Sequence, residues 1–417
     1  MSGQATEPIP TTEQLPTEIT RRKRSRAGLY TAVAVIVIAA VALGAAWGAG
    51  WLKPASTAAS NCAGPGAGPS VVATPAVTAT ANRLSPSTTT PTILGAGSSL
   101  VYPLMYQWES VYSAATVNYL SVGSSAGITD ITQKSVDFGA SDAPLNGAQR
   151  GAAPGVLTIP ESAGAVVPIY NLPGVGVLKF NGTVLAEIYL GKLTNWNNTP
   201  LQTLNPAASL PNACIQVVHR SDGSGTTFIW TSYLSLENKT WSTQVGKGTT
   251  VNWPVGTGQA KNAGVAGYVG KTPDSIGYVD LNYALNTGGV TMGAVKNPAG
   301  NYISATVANS ASALTDANPT LPSGGGDWYN VSLLNAPGAN DYPITSLTYM
   351  FVYQNLSKAY PSYTLTNAEA LVAFLNWTVT TGQSYSALLY YVPLPAYIVT
   401  ADQTTIASMT FNGSPVP

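Results

Sequence analysis

The chain has 417 residues with 18 basic and 18 acidic side chains, so 9% of it is charged and 45% hydrophobic, against roughly 25% charged in an ordinary soluble domain. Two cysteines, Cys62 and Cys214, and one histidine, His219, are too few to build a zinc, iron or copper centre. Everything after residue 28 carries 13 basic against 15 acidic residues, a net −2 without the clustered Lys and Arg that nucleic-acid binding requires.

In chain order, residues 1–28 read as a cytoplasmic tail ending in Arg21, Arg22, Lys23, Arg24 and Arg26. Residues 29–52 read as a transmembrane anchor, with a cleaved signal peptide, whose apolar region is ordinarily about 7 to 15 residues, as the competing reading. No charge interrupts Ala27 to Leu52, which is long enough to cross about 30 Å of hydrocarbon. The basic cluster places the preceding end in the cytoplasm, and Trp47, Trp51 and Lys53 suit the outer interface. Residues 53–90, rich in Ala, Ser, Thr, Pro and Gly, read as a tether that cannot pack a core. Sequons at Asn181, Asn197, Asn238, Asn330, Asn355, Asn376 and Asn412 accord with an outward-facing, glycosylated surface protein. The two cysteines suit an oxidising compartment, although spacing alone does not show that they pair.

From Thr92 onward β-type runs alternate with amphipathic stretches, which predicts α/β layers with mainly parallel strands. TILGAG, VNYLSV and VDFGAS read as strands, with SLVYPLMYQWESVYSA and SSAGITDITQ as the intervening helices. CIQVVHR, a polar Gly-rich turn over 221–225 and TTFIWTSYLSL repeat the unit. Thr366 and Glu369 are spaced as a capping box ahead of Leu371, Val372, Phe374 and Leu375.

Three strand-to-helix junctions combine Gly and Ser: Gly97-Ser98-Ser99-Leu100, Gly123-Ser124-Ser125-Ala126 and Asp222-Gly223-Ser224-Gly225-Thr226. Small residues allow close backbone approach, first-turn amides are unpaired, and the helix dipole is positive there. One such junction is simply a helix cap; three converging would hold a tetrahedral oxyanion with neutral donors. No G-x-x-x-x-G-K-[ST] occurs, so the turns are not nucleotide loops. Asp137-Phe138-Gly139 lacks any H-R-D partner of a kinase. Ser224 lacks the G-x-S-x-G elbow, and His219 projects from the opposite strand face to Arg220, so a serine hydrolase is not indicated.

The strings GAGSSLVYP, VGSSAGI, DFGASDAPL, IYLGKLTNW, VVHRSDGSGTTFIWTSYL, SIGYVDLNYA and PITSLTYMFV occur in this order from about residue 92 to the end. They resemble the successive motifs of the periplasmic-type phosphate-binding proteins, the substrate-binding components of phosphate ABC importers. The resemblance implies an α/β, two-lobed periplasmic-binding-protein fold with a hinge and an interlobe ligand cleft, here preceded by one transmembrane helix. The phosphate-binding domain would span 91–417, with lobe one at 91–165 and 345–417 and lobe two at 166–344.

By the same resemblance, Ser99 (commonly Thr in the family) and the Leu100 amide (commonly Phe) would donate from the first junction, Ser124 from the second, and Ser224, Gly225 and Thr226 from the third. Arg220 would make a charged, forked contact to the anion, oriented by Asp222. Asp142, the second aspartate of DFGASD, would accept a hydrogen that phosphate carries near neutral pH and sulfate does not. The implied partners are inorganic phosphate and the permease subunits of an ABC importer, with a monomer held at the cell membrane, its binding domain on the extracellular face, and no cofactor. The rival expectations are an extracellular phosphatase on the same scaffold, or a binder of sulfate or molybdate. The low charge further predicts tolerance of acid, since few carboxylates lose stabilising charge on protonation.

Overall fold

The structure is a computed structural model and describes residues 90–417. The tail, the anchor and the linker up to residue 89 lie outside the described residues. Among the described residues no helix is long and apolar enough to cross a membrane.

Strand β1 (Thr92–Gly97), helix α1 (Tyr102–Val111), strand β2 (Thr116–Ser121), helix α2 (Ser124–Thr132) and strand β3 (Phe138–Ser141) form the expected βαβαβ unit. β1 pairs in parallel with β2 on one side and β3 on the other, as helical crossovers require. Strand β4 (Val156–Asn171) follows, buried at every position except its two ends. Then come β5 (Gln216–Arg220), α3 (Gly225–Glu237), β6 (Thr257–Gln259), α4 (Lys261–Lys271), β7 (Ser275–Asp280), β8 (Thr345–Tyr353) and α5 (Leu365–Val379).

The strands lie in the order β2-β1-β3-β8-β4-β7-β5-β6. Both flanks are parallel, but β8 runs antiparallel to β3 and β4, and β4 antiparallel to β7. The sheet is therefore mixed, where the sequence pattern suggested mainly parallel pairing. The reason is that β4 and β8 are buried on both faces, so their continuous apolar runs carry no signal of strand direction. β4 pairs with β8 over Val156–Ala165 and with β7 over Val166–Asn171. One strand thus belongs to two half-sheets, each with its own core. Phe138 meets Phe374 at 5.7 Å and Trp108 meets Trp377 at 6.4 Å in the first; Trp230 stacks on Tyr278 at 5.1 Å in the second.

The β4–β8 ladder contains one irregularity. Thr348 pairs with Ser162 and Tyr349 with Pro160, which leaves Glu161 as an extra residue. Pro160 has no N–H to give the ladder, and a bulge beside it re-aims the next side chain.

Asn181, Asn238 and Asn355 each accept the N3 amide of the helix they precede, so these three sequon asparagines are also N-caps. Cys214 is disulfide-bonded; Cys62, the only other cysteine in the chain, lies outside the described residues. The capping box of α5 is formed by Thr364 and Asn367, two residues earlier than the Thr366–Glu369 spacing suggested. Asn367 returns the bond to the Thr364 amide as a Gln or Glu would, which is why the S/T-x-x-E/Q pattern misses it. Replacing Thr364 with Ala should therefore cost about 1 kcal/mol in chemical denaturation, whereas Thr366→Ala should stay within about 0.5 kcal/mol; equal losses would contradict the cap.

Candidate anion-binding site

The three Gly/Ser junctions converge. The first two follow β1 and β2 in one half of the molecule, and the third follows β5 in the other. They meet where the Ser125 N–H donates to the Gly223 carbonyl at 3.1 Å, and the Ser125 hydroxyl to Thr249 Oγ1 at 3.0 Å. The approach demands glycine at two points. A Cβ on Gly123, whose φ is +98°, would lie 2.7 Å from Asp222 Oδ2, and one on Gly225 would lie 2.6 Å from both N and Oδ2 of Asp142.

Ser98, Ser99, Leu100, Ser124, Asp142, Arg220, Ser224 and Thr226 are all buried. Ser224 caps α3 by accepting the Thr227 N–H at 3.1 Å, which leaves its own hydrogen to donate. Ser124 opens α2 behind Gly123, and its Oγ is buried without a protein partner.

Asp142 has two unlike oxygens. Oδ1 accepts from Ser98 Oγ at 2.6 Å and lies 3.0 Å from Thr348 Oγ1. Oδ2 has no protein partner and faces Gly225 across the junction of the two halves. A fully buried carboxylate oxygen without a donor is costly unless a ligand brings the hydrogen.

Arg220 divides its donors. Nε and Nη2 form a fork onto Asp222 at 2.8 and 2.5 Å, while Nη1 lies 3.3 Å from Thr226 Oγ1. The forked edge that the sequence assigned to the anion is thus occupied by Asp222, and the opposite edge of the guanidinium points inward. Asp222 also accepts the Lys261 N–H at 2.9 Å, tying the turn to the start of α4.

Asn262, in the first turn of α4, was not singled out from sequence, because an Asn opening an amphipathic stretch reads as an ordinary cap. Its Oδ1 accepts the Asp280 N–H at 3.0 Å, which forces Nδ2 toward the site. Nδ2 donates to Ser99 Oγ at 3.2 Å and to Thr226 Oγ1 at 3.1 Å, and the Asn262 N–H also donates to Ser99 Oγ at 3.2 Å. Both hydroxyl oxygens are thereby saturated as acceptors, so their hydrogens are left to donate. The Leu100 N–H, expected to face a ligand, instead donates to Ser98 Oγ at 2.9 Å. His219 lies apart, stacked on Trp253 with ring centres 4.7 Å apart.

Residues 82–381 match the model of the PBP superfamily domain. The chain is 38% identical over 317 residues to the phosphate-binding protein PstS of Xylella fastidiosa, covering 74% of this chain and 82% of that one. It is 36% identical over 307 residues to PstS of Methanocaldococcus jannaschii, covering 69% and 77%. Among solved structures, a human phosphate-binding apolipoprotein superposes with a TM-score of 0.62 at 18% identity, covering 75% of this chain and 93% of that one. A phosphate-binding protein from Stenotrophomonas maltophilia gives 0.58 at 19% identity with the same coverage. At such identity these two likenesses establish the fold alone.

Burial dominates the electrostatics of the site. It raises the Asp142 carboxyl to about 6, against the opposing pull of Ser98, Thr348, Arg220 and the neighbouring Ser124 hydroxyl, which stands beside the carboxyl without meeting hydrogen-bond geometry. Burial raises Glu161 to about 8, with the Asp142 charge adding to it, and Asp402 to about 9; Asp280 is raised well above the carboxylate range for the same reason. Asp222 moves the other way: although burial opposes, its bonds to Arg220 hold it low. The four raised acids hold protons in the folded state that the unfolded chain has released, so stability falls as pH rises between about 4 and 9. The melting temperature should be lower at pH 9 than at pH 5; a higher value at pH 9 would refute this account.

Proposed function

For a chain that belongs to the PBP superfamily, and within it to the phosphate-binding proteins, we propose that the buried site captures inorganic phosphate on the extracytoplasmic side of the membrane for delivery to an ABC-type importer. The observation that carries this reading is the unpartnered Oδ2 of Asp142 inside a cage of neutral donors. A carboxylate repels an anion unless that anion brings a hydrogen. Phosphate keeps one at neutral pH and sulfate has none.

Ser99, Ser124, Ser224 and Thr226 donate hydroxyl hydrogens to the phosphate oxygens, the Gly225 amide lies at the N-terminus of α3, and Arg220 supplies the compensating charge from its inward edge. The Leu100 amide is committed to Ser98 Oγ and braces the first junction. Asp222 holds Arg220 in place, and Asn262 orients Ser99 and Thr226. Lobe one comprises 91–165 and 345–417, and lobe two 166–344; the change of partner along β4 between Ala165 and Val166 supports a hinge there. Residues 29–52 anchor the protein in the membrane as a single span, and 53–90 tether a monomeric binding domain to it. Exposed sequons such as Asn330 and Asn412 are glycan acceptors.

A site built around one ligand hydrogen rejects an analogue lacking it by about 10⁴- to 10⁵-fold. Isothermal titration of the detergent-solubilised full chain should therefore give strong binding of phosphate and none of sulfate, and comparable affinities would sink the reading. Asp142→Asn should weaken phosphate binding and narrow the gap to sulfate. Arg220→Ala removes a charge-assisted contact worth about 1.5 to 3 kcal/mol and should cost roughly ten- to a hundredfold in affinity; wild-type affinity in this variant would show that the guanidinium does not touch the ligand.

A further inference from the structure

Behind Asp142 lies a second acid that phosphate recognition, as described so far, does not use. Glu161 is the extra residue of the β4 bulge and is fully buried. Its Oε1 lies 3.0 Å from Thr348 Oγ1, which is also 3.0 Å from Asp142 Oδ1. Its Oε2 has no partner. The Thr348 hydroxyl has one hydrogen and faces two carboxyl oxygens, so it satisfies both only if one of those carboxyls carries its own proton.

The surroundings decide which one. Asp142 also accepts from Ser98 and is drawn toward Arg220, while the Glu161 side chain has Thr348 alone. Among the described residues Arg220 is the only buried cation, and Asp222 already engages it. The other titratable groups facing the two acids are Asp280 at the end of β7, Tyr119 from β2, Tyr349 from β8, and Tyr283 and Tyr391. None supplies positive charge, so a second charged carboxylate there would stand uncompensated.

We propose that Glu161 is a positioning residue for phosphate recognition: its proton is donated to Thr348 Oγ1, Thr348 donates in turn to Asp142 Oδ1, and Oδ2 is left as the acceptor for the ligand hydrogen. Ser98 and Thr348 then saturate Oδ1 from two sides. Glu161 contributes direction to the relay and no charge to the anion site. Its elevated carboxyl, pushed up to about 8 by burial and then by the Asp142 charge, agrees with this protonation state. Above that pH its deprotonation puts a like charge behind Asp142 and leaves one hydroxyl hydrogen contested between two carboxylates.

The inference rests on the reading of Asp142 as the acceptor of the ligand hydrogen, and the test separates the two. The full chain and its Glu161→Gln variant are titrated with inorganic phosphate from pH 6 to 9.5. Between pH 7 and 9.5 the wild type should lose roughly tenfold in affinity as the second charge appears, and the variant less than about threefold. Superimposed profiles for the two proteins, with phosphate still preferred over sulfate, would overturn the role of Glu161 and leave that of Asp142 intact. A wild type indifferent to sulfate would overturn both. Carboxyl-carbon NMR of glutamate-labelled wild type gives an independent answer should the variant not fold. A glutamate titrating near pH 8 whose midpoint moves in Thr348→Val supports the relay; a midpoint unmoved by that change, or no glutamate titrating above pH 7, overturns it.

Discussion

A desolvated carboxylate at the junction of the two halves is the constraint around which the candidate site is organised. Asp142 is fully buried, with two hydroxyls on Oδ1, a guanidinium within electrostatic reach and no hydrogen-bond partner on Oδ2. Left unmet, such a group would cost several kcal/mol. In the proposed function the same penalty becomes selectivity, since an anion that brings a proton relieves it.

The fold supplies this arrangement through β4. Because one strand runs through both half-sheets, the residues it carries sit at the seam where the two lobes meet. Pro160 interrupts its ladder with β8, and the resulting bulge turns Glu161 toward Thr348 and Asp142. The closeness of the seam is set by missing atoms as much as by present ones: Gly123 and Gly225 stand where any Cβ would strike the acid of the opposite lobe. Buried donors from the two halves are thereby brought together, and a hydrogen bond among buried groups is stronger than it would be in solution.

The scarcity of charge has a consistent role in this scheme. In the proposed function neutral hydroxyls and amides coordinate the anion, aligned by Asn262 and the cap of α3 beside the one buried cation among the described residues. Buried acids that form no ion pair, at Asp142, Glu161, Asp280 and Asp402, hold their protons to higher pH than usual. Acid therefore favours the folded state through these groups.

The alternation of strands and helices and the three Gly/Ser turns were legible in the sequence, because each has a local signature, a period of burial or a small-residue turn; Arg220 and Asp142 were marked out only by the resemblance of their motifs to the phosphate-binding family. Neighbouring residues in the chain also carry the pairing of Arg220 with Asp222. Strand direction in the centre of the sheet was not legible, since β4 and β8 are apolar on both faces and their hydrophobicity reads the same in either direction. Nor were Asn262, Thr348 and Glu161, whose roles depend on partners up to 206 residues away; an isolated Asn, Thr or Glu has no pattern that reveals what will be folded against it. The sequence by itself determined what kinds of groups could bind an anion. Which oxygen of Asp142 stays free, which edge of Arg220 faces inward and which acid stands behind them were decided by tertiary packing, because those are properties of distance and direction between segments that only the sheet brings together.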